Sequence, residues 1–501
     1  MWPKQPVIYQ INTWVWLTHL ESKYRANIDL GSVPSSEWDT LKEMHIDGVW
    51  LMGVWARSPA GRKISVENPD LNCNYRAILP DFSEADVSGS PYSIRSYDVE
   101  PRLGGRKALA IARQELASRG LSLLLDFVPN HVAPDHPWLT EHPDFFVQGD
   151  ATSLHADSKA FFETGGAIIA RGRDPFFPPW PDTAQLNAFG QGLRSAAVAT
   201  LNDIAMQCDG VRCDMAMLML NKVFGGTWAN RVNRAPATEY WSDVIDSVHK
   251  QNPGFTFIAE AYWDLEWELI QNGFDYCYDK RLYDRLVHDS AEAVRAHLLA
   301  DIDYQLHMIR FLENHDEPRA AAVFPPYKNR AAAVAFMTLP GAKLLHEGQM
   351  EGYHKHLSVH LGRRPVEPID EELRIFYRKL LNLATEIELR RGTWKLCEQE
   401  GWPDNQSFRN IVSWCWESAG RRYLIAINFS DWTSQARIRT PWSDIRGQTL
   451  CFDDLLSGES YSPRAGTETV DQGLHVELAP WAFNLMSVEV EGFVRTERAL
   501  L

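Results

Sequence analysis

The feature that most constrains the fold is a series of short apolar segments that alternate with helical patterns. Each segment is bounded by turn-forming residues, and near-continuous apolar runs of this length are typical of parallel strands buried on both faces. The stretches between them carry the spacing and end signals of helices. Eight segments predict strands, at 6–12, 47–54, 121–128, 208–214, 255–260, 273–279, 307–314 and 341–347.

This alternation predicts an α/β fold, a (β/α)8 TIM barrel. A doubly wound sheet is the alternative, but no glycine-rich phosphate-binding fingerprint follows the first strand. The connection between Val128 and Gly210 is too long for one helix and two loops. We therefore predict a small inserted domain after the third strand, at 132–188, with the barrel formed by 1–131 and 189–392.

Beyond residue 392 the helical spacing ends, and apolar and polar residues alternate as in half-buried antiparallel strands. Ala419-Gly420 predicts a hairpin turn between the first two of these strands. We therefore predict a C-terminal all-β sandwich domain at 395–495. Its strands are expected within 409–418, 421–430, 434–441, 475–480 and 482–490.

Charge and cysteine content exclude several classes of protein. The formal net charge of −16 disfavours nucleic acid and anionic membranes as partners, and no run of 18 apolar residues predicts a membrane span. An odd number of scattered cysteines, seven, favours free thiols in a reducing compartment. The first residues also lack a signal-peptide pattern. We therefore expect a cytoplasmic protein, and the sequence does not indicate an oligomeric state.

Metal-binding patterns are incomplete. Cys208 and Cys213 are too far apart for a zinc knuckle, and "HEGQM" at 346–350 lacks the second histidine of a zinc protease motif. Aromatic residues in predicted loops are a different signal, because flat apolar side chains suit sugar rings, although ordinary packing is the better explanation of any single one. The candidates are Trp55, Trp138, Trp180, Trp263 and Trp267.

Polar residues collect where the predicted strands end, and in this type of barrel the carboxyl ends of the strands form the active site. Buried charges cost free energy unless they are paired, so such a concentration requires a functional explanation. The residues are Asp126, Asn130, His131, Arg212, Asp214, Glu260, His315, Asp316 and Arg319.

Two of these acids suit the chemistry of a retaining glycosidase, which needs a nucleophile and a general acid/base about 5 Å apart. Arg212 lies two residues before Asp214, on the same face of the strand, and would keep that carboxylate ionised. Glu260 follows the apolar run "FTFIA", which would raise its pKa. A buried salt bridge is the alternative explanation for Arg212 and Asp214. Asp209 begins the strand, where a structural role is expected.

Four of these segments, in order and at suitable spacing, resemble the hallmark segments of the α-amylase family, glycoside hydrolase family 13. They are "DFVPNH" (126–131), "GVRCDMAM" (210–217), "FIAEAYW" (257–263) and "FLENHDEPR" (311–319). Two further stretches resemble other family segments, "GSPYSIRSYDVEPRLGG" (89–105) and "TAQLN" (183–187). The resemblance extends over nearly the whole chain, including the inserted domain and the C-terminal β domain.

The resemblance implies a role for each matching residue. Asp214 would be the nucleophile, Glu260 the acid/base, and Asp316 the residue that binds the 2- and 3-hydroxyls in the transition state. The implied substrate-binding residues are Tyr92, His131, Arg212, His315 and Arg319, with Tyr92 stacking beneath the sugar ring and Arg212 orienting the nucleophile. Asp126 and Asn130 would be structural, shaping the loop that carries His131.

The sequence departs from the family after the nucleophile and in the inserted domain. Met215-Ala216-Met217 replaces the charged residues that often bind the leaving sugar, so we expect an apolar leaving side. Gln185 stands where the family usually has an acid that helps to hold calcium. We therefore expect no required cofactor, with calcium as an alternative that the sequence leaves open.

These observations predict a retaining hydrolase of α-glucosidic bonds in α-glucans or malto-oligosaccharides, acting through a covalent glucosyl-enzyme intermediate. An exo-acting α-glucosidase or a transglycosidase on small α-glucosides is one alternative. A catalytically inactive carbohydrate-binding protein on the same fold is another, because a fold alone does not establish activity.

Overall fold

The computed structural model describes residues 2–385 and 387–491, and its central unit is a closed barrel of eight parallel strands. Each strand pairs with the strands before and after it in the chain, and β8 closes onto β1, which confirms the predicted (β/α)8 barrel. The strands are β1 Val7–Asn12, β2 Gly48–Met52, β3 Ser122–Phe127, β4 Gly210–Cys213, β5 Thr256–Ala259, β6 Tyr276–Tyr278, β7 Met308–Arg310 and β8 Ala342–His346.

Helices surround the barrel and bury one face against it. In helix Tyr240–His249, for example, the buried residues Trp241, Val244, Ile245 and Val248 recur with helical spacing. The longer helices of the barrel are Thr13–Tyr24, Ser35–Glu43, Pro59–Glu67, Pro69–Ile78, Gly105–Ser118, Gln191–Ala205, Asn221–Trp228, Tyr240–His249, Lys280–His288, Ala291–Leu298, Pro326–Thr338 and Glu371–Ala384. Shorter helices are Glu266–Gln271, Ile302–Leu306, Ala320–Val323 and Ile387–Arg391.

One helical feature is not predicted by the sequence analysis. Helices Pro59–Glu67 and Pro69–Ile78, here called the helix pair, lie in the connection between β2 and β3. Each begins with proline in its first turn and is capped by the preceding side chain, Ser58 in one case and Asn68 in the other. An antiparallel two-stranded ribbon, Trp55–Arg57 with Ile94–Val99, flanks the pair.

The long connection between β3 and β4 forms a small unit with its own apolar cluster, which includes Val132, Phe146 and Leu186. It contains helices Trp138–Glu141 and Ala151–Ala156 and the hairpin Phe161–Thr164 with Ala167–Ala170. Strand His131–Val132 pairs with Ala184–Gln185 at the base of the unit. This pairing brings both ends of the connection back to the mouth of the barrel.

The C-terminal region is a β sandwich of a six-stranded and a three-stranded sheet. Tryptophans on its larger sheet pack against the barrel, and the Trp416 indole donates to the carbonyl of Thr338, 2.7 Å away. The predicted boundary at 495 lies outside the described residues. The strands are β9 Thr393–Leu396, β10 Glu398–Glu400, β11 Ile411–Ser418, β12 Arg421–Asn428, β13 Ser434–Arg439, β14 Thr449–Asp454, β15 Ser460–Ala465, β16 Leu474–Leu478 and β17 Phe483–Val490.

Helix Gly466–Gln472 connects β15 to β16. The hairpin between β11 and β12 turns at Ala419-Gly420, where both residues have positive φ, as the sequence predicts. None of the helices within 2–385 and 387–491 combines the length and the apolar character needed to span a bilayer.

Candidate active site

A single buried arginine organises the carboxylates at the mouth of the barrel. Arg212 Nη1 lies 2.7 Å from Asp214 Oδ1, and Nη2 lies 2.8 Å from Glu260 Oε2. Asp316 Oδ2 and Asp126 Oδ1 are 3.8 and 4.0 Å from the same guanidinium. Although burial opposes a charged arginine, Glu260, together with Tyr92, Tyr278 and Asp214, raises the pKa of Arg212 well above the usual value. One cation therefore faces four carboxyl groups.

The local fold explains why these side chains meet. Arg212 on β4 is level with Asp126 on β3 and Ile258 on β5 in the strand register, and all three strands end at the same rim. Alternation along the strand directs Cys213 away from Arg212, where it is fully buried in the main apolar core. Glu260 follows β5 directly, and its backbone N–H donates to the Cys213 carbonyl.

The two carboxylate oxygens of Glu260 have different hydrogen-bond partners. Oε2 accepts hydrogen bonds from the Met215 backbone N–H at 2.6 Å and from Arg212, whereas Oε1 accepts from the Tyr262 hydroxyl at 2.8 Å. Burial, reinforced by the charge of Asp214, raises the pKa of Glu260 in spite of Arg212. Met215 adopts a left-handed conformation with φ of 43°, which is strained for a side chain of this size and directs its N–H to the carboxylate.

Asp316 and His315 form the opposite wall. Burial and the charge of Glu260 raise the pKa of Asp316 well above its usual value, although 42% of its side-chain surface is open to the cleft. Burial, followed by Arg212, lowers the pKa of His315 well below its usual value. Gln10 Nε2 donates to His315 Nδ1 at 2.7 Å, so the neutral imidazole carries its proton on Nε2. That nitrogen lies 3.0 Å from Asp316 Oδ2.

Tyr92 and His131 also reach this cleft. The Tyr92 hydroxyl is 2.6 Å from His315 Nε2, and the two rings stack with centroids 5.3 Å apart. The His131 ring lies 5.0 Å from the Trp180 ring. Burial lowers the pKa of His131, so it meets a ligand as a neutral hydrogen-bonding group.

Asp126 and Asn130 hold the walls of the site. Asp126 Oδ2 accepts from the Gly53 N–H at 2.9 Å, and burial raises the pKa of Asp126 to about 6. Asn130 contacts Gln185 through both its carbonyl and its side chain. Through these contacts the two residues connect separate loops around the site.

Arg319 is placed differently from the expectation that it binds substrate. Its guanidinium lies 2.6 Å from Glu313 Oε1, 3.0 Å from His346 Nδ1 and 2.7 Å from the Glu347 carbonyl. It is buried and does not line the cleft around Asp214. The expectation is therefore corrected, because Arg319 is buried and neutralises a buried glutamate.

Two cavities meet at Met215. The first, of about 390 Å3, contains Asp214, Glu260 and Asp316 together with Tyr92, His131 and Trp180, and we call it the donor pocket. The second, of about 500 Å3, is lined by residues that follow Glu260, among them Tyr262 and Trp263, and we call it the leaving-side cavity. Of the five candidate tryptophans, Trp180 and Trp263 line these cavities, whereas Trp55 is buried in the core.

The expectation of an apolar leaving side is wrong. Ala216 and Met217 are fully buried, so only Met215 of that segment lines the leaving-side cavity. The cavity also carries charged groups from the helix after β6, including Lys280 and Arg281. Sequence reasoning also missed Tyr262, although its spacing of two residues from Glu260 is a signal that both side chains share a face.

The residues near Gln185 do not fit the calcium site that the resemblance left open. Gln185 Nε2 donates to the Asn130 carbonyl and to Asn130 Oδ1, both at 2.9 Å, so an N–H donor occupies a position where calcium would need an oxygen ligand. Among the described residues no group of three or more His, Cys, Asp or Glu side chains is arranged to hold a metal. The amide connects the two ends of the inserted unit directly.

The chain is similar in sequence to known α-amylases, although no family model matches it. The chain is 24% identical to the α-amylase MalA of Haloarcula japonica over 363 residues, which cover 70% of this chain and 45% of that protein. It is 23% identical to α-amylase 2 of Dictyoglomus thermophilum over 420 residues, 79% of this chain and 66% of that protein. The chain thus spans less than two thirds of the length of these relatives.

A solved structure shows the same fold over almost the full length. The maltogenic α-amylase AmyB of Thermotoga neapolitana superimposes with a TM-score of 0.68 at 16% identity, covering 97% of this chain and 98% of that one. The fold and site define a (β/α)8 barrel whose carboxylates surround one arginine at the carboxyl ends of the strands. The curated relatives and the four hallmark segments make the chain similar to the α-amylase family, glycoside hydrolase family 13.

Proposed function

We propose that this chain is a retaining hydrolase of α-glucosidic bonds in α-glucans or malto-oligosaccharides. The observation that carries the proposal is the binding of Asp214 and Glu260 to the two terminal nitrogens of the Arg212 guanidinium. This arrangement keeps two carboxyl groups close together while their surroundings differ, as a nucleophile and an acid require. The α-amylases among its relatives support the same substrate class.

The first step forms the covalent intermediate. Asp214 Oδ1 is bound by Arg212, which leaves Oδ2 to attack the anomeric carbon. Glu260 Oε2 is occupied by Met215 and Arg212, so Oε1 is the oxygen that carries the acidic proton. As the bond to the leaving sugar breaks, that proton passes to the glycosidic oxygen, and a β-glucosyl ester remains on Asp214.

The second step releases the sugar. Glu260, now ionised, takes a proton from water, and the water oxygen attacks the anomeric carbon while the ester bond to Asp214 breaks. Asp316 and the neutral His315 are placed to hydrogen-bond the sugar hydroxyls in both steps. Two inversions at the same carbon give a product that keeps the α configuration.

Product stereochemistry tests the proposal. The first product formed from a p-nitrophenyl α-glucoside or a malto-oligosaccharide should be the α-anomer in proton NMR spectra, and Asp214→Asn should lack turnover. A β-anomer would exclude Asp214 as the nucleophile. An inactive wild-type protein that still binds malto-oligosaccharides would instead favour a carbohydrate-binding protein.

The cellular location is a further proposal. All seven cysteines are free, and Sγ of Cys397 and Sγ of Cys415 are 3.1 Å apart, beyond the roughly 2.05 Å of a disulfide bond. Free cysteines are typical of proteins in a reducing compartment. We propose a cytoplasmic location on this basis, and thiol titration of the protein from its native cells, with trapping by alkylation at lysis, tests the thiol state.

A further inference from the structure

On the basis of the proposed function, the position of Glu260 indicates which cavity holds the leaving sugar and which holds the sugar that is transferred to Asp214. The general acid protonates the leaving oxygen, so the leaving sugar lies beside the residues that follow Glu260, in the leaving-side cavity. The sugar that becomes attached to Asp214 occupies the donor pocket. Any further units toward the non-reducing end of a longer substrate would have to extend beyond this pocket, on the side away from Met215.

The helix pair forms part of the wall of the donor pocket. Ile64 and Ser65 from its first helix and Leu71 from its second line the donor pocket together with Asn68, the residue between the helices. Trp180 of the inserted unit and His360 of the segment after β8 also line the pocket. Three connections that are distant in sequence therefore meet around one small volume.

The wall is firmly attached on both sides. Ser58 Oγ donates to Asp135 Oδ1 at 2.6 Å, which ties the start of the helix pair to the inserted unit. Arg62 Nε donates to the Val87 carbonyl at 2.6 Å. Val87 in turn shares a small apolar cluster with Tyr75 of the helix pair and Leu361 of the segment after β8. Because apolar packing and hydrogen bonds act together, the wall is part of the fold.

Two polar side chains that line the donor pocket, Asp182 and Asn68, have hydrogen-bonding capacity left for a ligand. Burial raises the pKa of Asp182 in spite of the nearby charge of Arg171, and Ser93 Oγ donates to the backbone carbonyl of Asp182, not to its carboxylate. The Asn68 side-chain oxygen accepts from the N–H groups of Asp70 and Leu71, which leaves its NH2 group for a ligand. An acceptor and a donor in the lining of the pocket are therefore available for sugar hydroxyls.

We propose that the donor pocket admits only the free non-reducing end of an α-glucoside, so that the enzyme is exo-acting, with Asp182 and Asn68 binding the terminal hydroxyls. The pocket volume of about 390 Å3 supports this. It lies near the lower end of the roughly 300–1,000 Å3 of pockets that enclose one small ligand, whereas an internal stretch of polymer needs a groove open at both ends.

A blocked substrate tests exo action. Maltoheptaose and the same heptasaccharide with a 4,6-O-ethylidene group on its non-reducing terminal glucose are compared by chromatography of the products. The blocked sugar should be consumed at least a hundredfold more slowly than the free one. Equal rates would overturn exo action while leaving the hydrolase proposal intact. Absence of turnover with both heptaoses and with every short α-glucoside would overturn the proposed function.

Asp182→Asn tests the binding of the terminal sugar, with Asp144→Asn as a matched control on the exposed surface of the same unit. We expect Asp182→Asn to lower kcat/KM about tenfold to a hundredfold, as a lost charged hydrogen bond does, with an unchanged Tm. The loss should be equal for aryl and glucosyl leaving groups, because Asp182 lies on the donor side. A loss that depends on the leaving group, or equal activity of both variants, would overturn this assignment.

Discussion

Two of the buried clusters of arginine and acid in the barrel have opposite electrostatics. In the first, between β6, β7 and the helices after β6, Asp279 lies 3.2 Å from Arg310 Nε and 3.0 Å from His297 Nε2. Burial would raise the pKa of Asp279, but His297 and Arg310 hold it below its usual value. In the active-site cluster one arginine serves four acids, and the pKa values of Glu260 and Asp316 are raised.

Both clusters are buried, so the opposite directions of their pKa shifts result from the different numbers of cations and acids. Where cations match or outnumber the acids, the carboxylate stays ionised and stabilises the fold, as it does for Asp279 and for Glu313 beside Arg319. Where the acids outnumber the cation, the pKa of a buried carboxyl is raised, which favours the protonated form that an acid catalyst needs. Substitutions in the two clusters should therefore affect different properties.

The largest expected effects are those of substituting Asp214 in the active-site cluster and Asp279 in the other cluster. Asp214→Asn should lower kcat by about 10⁴-fold or more, because the covalent intermediate cannot form, with Tm unchanged or raised. Asp279→Asn should leave kcat per folded molecule within about threefold, but lower the free energy of unfolding by about 3–5 kcal/mol, since Arg310 and His297 lose their buried partner. Steady-state kinetics and urea unfolding check both. A large loss of stability in Asp214→Asn would contradict the contrast.

Glu260→Gln should lower kcat about 10²- to 10⁴-fold on malto-oligosaccharides, because the leaving oxygen is no longer protonated. The loss should be smaller for an aryl glucoside whose leaving group departs without a proton, and the glucosyl intermediate should accumulate. Azide attacks without a general base, so it should restore turnover and give an α-glucosyl azide. Glu313→Gln is the control, and rescue by azide there, or none with Glu260→Gln, would contradict the assignment.

The pH dependence of stability tests the raised pKa of Asp126, which belongs to the cluster around Arg212. Its pKa of about 6 in the folded state is above the ordinary aspartate value of about 3.9, so the folded state binds this proton more tightly. The contribution to stability is present below about pH 4 and is lost as pH rises through about 6, an effect of about 2–3 kcal/mol. Asp126→Asn should therefore be more stable than wild type at pH 7.5 and equal to it near pH 4. Equal stability at both pH values in thermal unfolding would contradict the shifted pKa.

The sequence predicted the barrel well because each strand is a separate apolar segment. All eight predicted segments contain a barrel strand, and Arg212 and Asp214 follow from strand alternation alone. The missed strand β15 shows the limit of that reasoning. All six of its residues are exposed, so it carries no apolar pattern and depends on pairing with β14. The helix pair was missed although Ser58-Pro59 and Asn68-Pro69 are helix-start signals.

The candidate site was only partly predictable, since a motif locates a residue and does not give its contacts. Arg319 is the last residue of a hallmark segment, yet its partner Glu313 lies six residues earlier and directs it into the core. The leaving side was mistaken for a similar reason. A left-handed Met215 turns the chain so that Met217 enters the apolar core, and helix residues distant in sequence line the cavity instead. Such outcomes depend on tertiary packing.

The smallest expected effect is that of removing the Tyr262 hydroxyl, which alters the pKa of Glu260. Tyr262 donates to Glu260 Oε1, which favours the ionised carboxylate and lowers the pKa of Glu260. Tyr262→Phe removes this donor, so the pKa of Glu260 should rise further. Because the first step needs the protonated acid, the decline of kcat/KM at high pH should move to higher pH. The loss of kcat at neutral pH should stay below about tenfold, as for one hydrogen bond.

The pH profile separates this role from a structural one, which would lower activity without moving the profile. Tyr278→Phe is a matched control, because burial raises the pKa of both phenols and Tyr278 lies beside Arg212, whereas only Tyr262 hydrogen-bonds Glu260. A shift of the decline to lower pH in Tyr262→Phe would show that the hydroxyl stabilises the protonated acid. In that case the Tyr262 hydroxyl, and not the excess of acids around Arg212, would be the cause of the raised pKa of Glu260.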